Sequence, residues 1–318
     1  VALPSADQLQ EEQMSGTFVP RRNVRTAKQI RWTRRAVQAV VVGWIAWIVW
    51  SKTLSGPGSA SAEAFCPFGG FETAWTWITT GSTVAHVHTA NLVLAGVIVV
   101  LALVGRGFFC GWLCPLGSLQ EGIRGMARGV TSRAPRMRQA GRAISARMPW
   151  WPRIDHILRY GRYVVLVWAV GGAAITGVMV FREVDPWNAL LSVAEFEIST
   201  AFVVLIAVLS LSVFIERPFC RYACPLGAVQ GLIGKASPVA IQRNADACLG
   251  CQICNNACPM GIEVNQATRV TDTACIGCLE CVVACPSQNA LALTITFPTR
   301  IPLRSADVDT NTKEGALL

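Results

Sequence analysis

Four apolar runs set the rhythm of this sequence, over residues 36–50, 84–104, 163–181 and 198–215, with polar, arginine-rich stretches around them. Each comes near the roughly 17–25 residues that a helix needs to cross a hydrocarbon layer of about 30 Å. Runs of this length predict helices, since strands end after about 4–8 residues. Polar residues touch the runs only at their edges: His86, His88 and Asn91 at the start of the second, Glu216 after the fourth. Trp44, Trp47 and Trp50 place indoles towards the far end of the first, where an interfacial belt is expected. Residues 1–29 are polar and without period, which predicts a surface-lying arm. After residue 235 the pattern changes to short apolar pieces between closely spaced cysteines, and beyond residue 298 it turns polar again. The expected division is an N-terminal arm over 1–35, a four-helix transmembrane domain over 36–235, a cysteine-rich domain over 236–297 and a tail over 298–318.

Composition supports the membrane reading, because 52% hydrophobic against 15% charged residues is too apolar for an ordinary water-soluble chain. The net charge of +9 invites a nucleic-acid reading. Its placement argues otherwise. Arg124, Arg128, Arg133, Arg136, Arg138, Arg142, Arg147, Arg153 and Arg159 all lie between the second and third runs, whereas the other two connections hold little more than Lys52 and Arg182. Positively charged loops stay on the cytoplasmic side, which puts both termini and the cysteine-rich domain there, in a multi-pass protein of a bacterial inner membrane. The arginines then serve topology and anionic headgroups, and nucleic acid is not an expected partner. Ala60-Ser61-Ala62 resembles a signal-peptide cleavage site; an uncleaved first membrane helix is the expectation.

Of 13 cysteines, eight fall in the two tandem runs Cys248-x2-Cys251-x2-Cys254-x3-Cys258-Pro259 and Cys275-x2-Cys278-x2-Cys281-x3-Cys285-Pro286. This spacing is the bacterial ferredoxin pattern for two [4Fe–4S] clusters, in which the fourth cysteine of each run ligates the other cluster. Cys248, Cys251, Cys254 and Cys285 are expected at one cluster, and Cys275, Cys278, Cys281 and Cys258 at the second. Zinc sites usually use paired C-x2-C elements, and this order has little use as disulfides. The domain is therefore expected to be a small α+β ferredoxin-like unit.

The chain also repeats itself. Phe109-Cys110-Gly-Trp-Leu-Cys114-Pro115-Leu-Gly-Ser-Leu-Gln120 matches Phe219-Cys220-Arg-Tyr-Ala-Cys224-Pro225-Leu-Gly-Ala-Val-Gln230, each copy following an even-numbered apolar run. Two copies in the same direction imply parallel repeats about an axis along the membrane normal. Proline is favoured in the first helical turn, so Cys114 and Cys224 are expected to cap helices beginning at Pro115 and Pro225, where the helix terminus would lower a thiol's pKa. Pairing the copies brings together Cys110, Cys114, Cys220 and Cys224, enough ligands for a third metal centre, iron–sulfur or otherwise. Buried structural cysteines and redox thiols remain alternatives. On the outer side, Cys66-Pro67 and Asp185-Pro186 echo each other and form a candidate site with acidic neighbours such as Glu72. His86 and His88 are candidates for a quinone headgroup, which needs hydrogen bonds and a proton acceptor at the membrane edge; interfacial histidines without a special role fit the sequence equally well. No C-x-x-C-H haem attachment motif occurs.

Four spans, two C-x3-C-P-L-G elements and a C-terminal two-cluster module resemble the NapH family of membrane ferredoxin-type subunits, whose core recurs in NosR, MauN and the CcoG/RdxA/FixG proteins. The resemblance covers residues 35–297 and implies quinol oxidation with electron delivery to a partner redox protein. Without room for the flavin-binding domain of NosR-like proteins or the β domain of CcoG-like ones, the expectation is a stand-alone NapH-like unit. It would be the electron-transfer subunit of a quinol-linked oxidoreductase. The rival reading is a metal-handling or assembly factor that reduces or inserts copper through the C-x3-C-P thiols.

Overall fold

The computed structural model of the protein describes residues 24–55, 67–81, 89–133, 151–191, 199–287 and 290–295. The N-terminal part contains helices α1 (Val24–Ser55), α2 (Pro67–Thr80), α3 (Thr89–Gly105), α4 (Pro115–Arg133), α5 (Trp151–Leu158), α6 (Gly161–Thr176), α7 (Pro186–Leu191), α8 (Thr200–Leu211), α9 (Pro218–Tyr222) and α10 (Pro225–Ile233). The C-terminal part adds β1 (Val239–Arg243), α11 (Ile253–Asn256), α12 (Glu280–Ala284) and β2 (Leu291–Ile295).

The four apolar runs are helical at their expected places, within α1, α3, α6 and α8, but α6 and α8 stop short of the ends of their runs. Among the described residues no helix is both long and apolar enough to cross a membrane. Each stop has a local cause. Gly177 takes the left-handed conformation, with φ of 68°, and its N–H closes on the Ala173 carbonyl, so α6 ends well before residue 181. Ser212 turns its hydroxyl back onto the Val208 carbonyl at 2.7 Å, at the end of α8. In the other direction α1 exceeds its run. It passes through residue 35, the expected end of the arm, because Arg31 and Arg34 find partners on the C-terminal domain. Helix α2 occupies what the sequence suggests is an outer loop. It is apolar apart from Glu72 and a few threonines, and its 14 residues are too few to register as a span.

The helices pack as two interleaved repeats. Helix α2 lies on α3 and α6, and α7 takes the corresponding place beside α8. Helix α10 leans on α3, and α4 on α8, so the last helix of each repeat packs on the apolar helix of the other. Polarity is inverted relative to a water-soluble bundle. Glu72, Asn91, Gln120, Asp185, Arg217 and Gln230 are buried, whereas Val93, Val100, Val164, Val167, Val203 and Ile206 are exposed.

In the C-terminal part β1 and β2 pair antiparallel, with Val239 opposite Ile295 and Arg243 opposite Leu291. Between them come two similar turns. Gly250 and Gln252 before α11, and Gly277 and Leu279 before α12, all have positive φ. These left-handed residues coil the C-x2-C-x2-C loops tightly enough for the cysteines of one run to face inward together.

Candidate functional site

The ferredoxin-like cysteines surround two separate cavities. One is lined by Cys258, Cys275, Cys278 and Cys281 together with Met260, Ile262, Val264, Val270 and Ile276. The other is lined by Cys248, Cys251, Cys254 and Cys285. In each, three cysteines come from one run and the fourth from the other, the exchange that the sequence predicts. The donor sets fit cubes: four cysteines line each cavity, with apolar walls on the first. The environments differ. Cys278 and Cys281 are buried, whereas Cys251 is exposed and stands between the exposed Leu249 and the half-exposed Ile253.

The C-x3-C-P elements meet as the repeat requires. Cys110 lies in a π-helical turn, Phe109–Leu113, and Cys220 in α9; both thiols are buried. Cys114 and Cys224 cap α4 and α10, their sulfurs accepting the Gly117 and Gly227 N–H groups at 3.4 Å in both copies. Across the pseudo-twofold axis, the Cys110 thiol donates to the Gln230 side-chain oxygen at 3.1 Å, and the Gln120 amide donates to the Cys220 sulfur at 3.7 Å. The four sulfurs sense one another electrostatically. The expectation of lowered thiol pKa values at these helix ends is not met. Burial outweighs the helix terminus and pushes Cys114 up to about 12, with Cys220 beside it adding to the shift, and raises the other three thiols as well. Metal binding at such thiols would release their protons. Among the described residues no three His, Cys, Asp or Glu side chains lie close enough to share a single metal ion. That holds for the ferredoxin cysteines too, whose sulfurs line hollows instead.

A backbone junction joins these thiols to the second ferredoxin cavity. A Cβ on Gly111 would stand 2.2 Å from the Ile276 carbonyl oxygen, and one on Gly107 2.6 Å from the Ile276 Cα. Only glycine lets the Cys110 turn and the Cys275–Cys278 turn approach so closely. The Trp112 indole N–H donates to the Gly277 carbonyl at 3.1 Å, and Arg106 donates to the Val270 carbonyl at 2.6 Å. Buried charges brace the same junction. Arg217 donates to the Cys110 carbonyl at 2.6 Å and to Glu121 at 2.7 Å. Arg34 donates to the Gly111 carbonyl at 3.1 Å, to Glu121 at 2.5 Å and to Glu280 of α12 at 2.9 Å. Burial alone would raise the Glu121 carboxyl pKa, but Arg217 and Arg34 hold it below its ordinary value.

On the side of the bundle away from these thiols, Asp185 accepts the Trp187 N–H at 3.0 Å and caps α7, with Glu72 nearby in a small cavity that Phe68, Met179 and Phe181 help to line. Burial lifts the Glu72 carboxyl to about 8, and Asp185 adds to it. Cys66, His86 and His88 lie outside the described residues. The sequence reading missed Gln120, Gln230, Glu121, Arg34 and Arg217. For the glutamines a signal was there, since each closes one copy of the repeat; the arginines give none, because a helix-end arginine reads as a loop charge.

Comparison with known families finds iron–sulfur models along this chain. A 4Fe–4S binding-domain family model matches twice, at residues 87–133 and 199–244, and a 4Fe–4S dicluster-domain model matches residues 240–286. The first match thus recurs on the two C-x3-C-P segments. YccM of Escherichia coli is 28% identical over 259 residues, covering 77% of this chain and 68% of YccM. NirI of Paracoccus denitrificans is 31% identical over 54% of this chain, which spans only 24% of NirI. The ferredoxin-type protein NapH of Haemophilus influenzae is 29% identical over 178 residues, 55% of either chain. No solved structure matches.

Proposed function

The chain belongs to the NapH-type family of 4Fe–4S electron-transport proteins, and on that premise we propose that it is a membrane-bound subunit passing electrons between the quinone pool and a partner redox protein. Cys258, Cys275, Cys278 and Cys281 would hold one cube, and Cys248, Cys251, Cys254 and Cys285 the other. Cys110, Cys114, Cys220 and Cys224 would hold a third iron–sulfur centre. When bound, such clusters supply one-electron transfer, so a two-electron quinol needs more than one acceptor state.

The observation that carries this reading is the glycine-lined contact of the Cys110 turn with the Cys275–Cys278 turn. It brings the backbone of the Cys110 turn against the backbone of the Cys275–Cys278 turn, which helps to line the buried ferredoxin cavity. The residues of the chain do the rest: Arg34 and Arg217 hold the junction rigid, and the apolar walls around Met260 and Val264 keep water from the inner cavity. The bilayer placement is supported by the inverted polarity of the bundle, since apolar side chains on its outer face favour lipid. Positive-inside placement puts the ferredoxin part in the cytoplasm. On the opposite side, Glu72, His86 and His88 are the candidate hydrogen-bond partners for a quinone headgroup.

Anaerobic purification with iron and sulfide analysis tests the proposal. More than the eight irons of two cubes per chain, and reduction by a soluble quinol analogue, are expected. Eight irons or fewer with no response to quinol would overturn it. Exchangeable copper in place of the third centre would favour the metal-handling reading.

A further inference from the structure

The two buried glutamines of the repeat have no role in the reading so far, and their surroundings are unusual. Gln120 and Gln230 are almost fully buried, at 0% and 1% exposure. A glutamine inside a helical bundle ordinarily spends its amide on backbone groups of a neighbouring helix. Here each also reaches the first cysteine of the opposite repeat, Gln120 to Cys220 and Gln230 to Cys110. Gln120 is fully engaged: its oxygen accepts the Phe219 N–H at 3.3 Å, and its amide nitrogen also reaches the Leu116 carbonyl at 3.3 Å. Gln230 is not, because its side-chain nitrogen is buried with no hydrogen-bond partner.

The two copies differ in which atom of the glutamine amide meets the sulfur, Oε1 for Gln230 at Cys110 and Nε2 for Gln120 at Cys220. A metal-bound thiolate has no proton to give and only accepts. A half-turn of the Gln230 amide then presents its N–H groups to the Cys110 sulfur, satisfies the bare nitrogen and reproduces what Gln120 does at Cys220.

Resting on the proposal of a third centre, we infer that Gln120 and Gln230 are its positioning residues, each donating an N–H to the sulfur of the opposite repeat's first cysteine. Hydrogen bonds to cluster sulfurs are one of the means by which a protein sets reduction potential. They stabilise the more negative, reduced state, so this pair raises the potential of the shared centre. Being related by the pseudo-twofold axis, the two act in the same direction.

The test is an EPR-monitored redox titration of the purified full-length chain with Gln120→Leu, Gln230→Leu and Gln230→Glu. The third midpoint is expected to move negative in both leucine variants, while the two ferredoxin midpoints stay at their wild-type values. Gln230→Glu keeps the shape but replaces the N–H donor by an acceptor, and it should move the third midpoint negative as well. An unchanged third midpoint in the leucine variants overturns the inference and leaves the third centre standing. If a leucine variant loses the centre, Gln230→Glu decides: retention at the wild-type potential overturns the inference, and a negative shift supports it. A wild-type protein with only two titrating centres removes the third-centre reading itself, and the inference with it.

Discussion

Gly111 carries more of this account than any charged residue. Its missing side chain lets the Ile276 carbonyl sit where a Cβ would be, 2.2 Å away, and backbone on both sides leaves nothing flexible to yield. Gly111→Ala must therefore push the Cys275–Cys278 turn off the repeat domain. Forcing one extra carbon into a packed site costs about 1–3 kcal/mol, so the thermal midpoint should fall. Reduction of the ferredoxin centres by quinol should slow with iron content unchanged. A variant with wild-type reduction kinetics would show that electrons do not use this junction. The same residue shows what sequence can and cannot reveal. Gly111 sits inside the matched repeat, but Arg221 is its counterpart in the second copy, so the repeat gives no hint that a glycine is required. The eight ferredoxin cysteines are legible because loop geometry dictates their spacing, down to the exchange of Cys258 and Cys285 between cavities.

Among elements, α5 and α9 fasten the ferredoxin part through a single carboxylate. Asp155 accepts from the Tyr222 hydroxyl at 2.5 Å, from Arg159 at 2.6 Å and from Arg221, while Arg159 also donates to the Gly261 carbonyl at 2.9 Å. Burial would raise this carboxyl, but the bonds from Tyr222, Arg159 and Arg221 outweigh it and hold Asp155 below the usual range. A depressed carboxyl stabilises the fold fully above its unfolded pKa of about 3.9 and loses that contribution as pH falls through the lower folded value. Asp155→Asn should cost about 3 kcal/mol at neutral pH, as removing one partner of a buried pair does. The gap between the thermal midpoints of wild type and variant should narrow below about pH 4; a gap independent of pH would contradict the assignment. Helix positions were largely readable from apolar length, and the C-P order placed α4 and α10 to the residue. What periodicity missed was tertiary for α1 and local for α6. Helix α1 extends through residue 35 because Arg34 is captured by Glu121 and Glu280, and α6 stops early because Gly177 adopts a left-handed conformation.

The whole molecule is two duplications in series. One doubles an apolar helix with its C-x3-C-P turn, the other doubles a three-cysteine loop, and the Cys110 turn meets the Cys275–Cys278 turn where they join. Its buried polar residues and exposed valines support a bilayer setting, and in the proposed function the exposed Cys251 loop would be the exit towards a redox partner. The most direct measurement compares Cys110→Ala with wild type in anaerobic reduction followed by EPR. In the wild type a quinol analogue should bring up the ferredoxin signals. In Cys110→Ala both signals should still appear with dithionite but no longer with quinol. Reduction of the variant by quinol at the wild-type rate would contradict the route from the repeat thiols to the ferredoxin cavities.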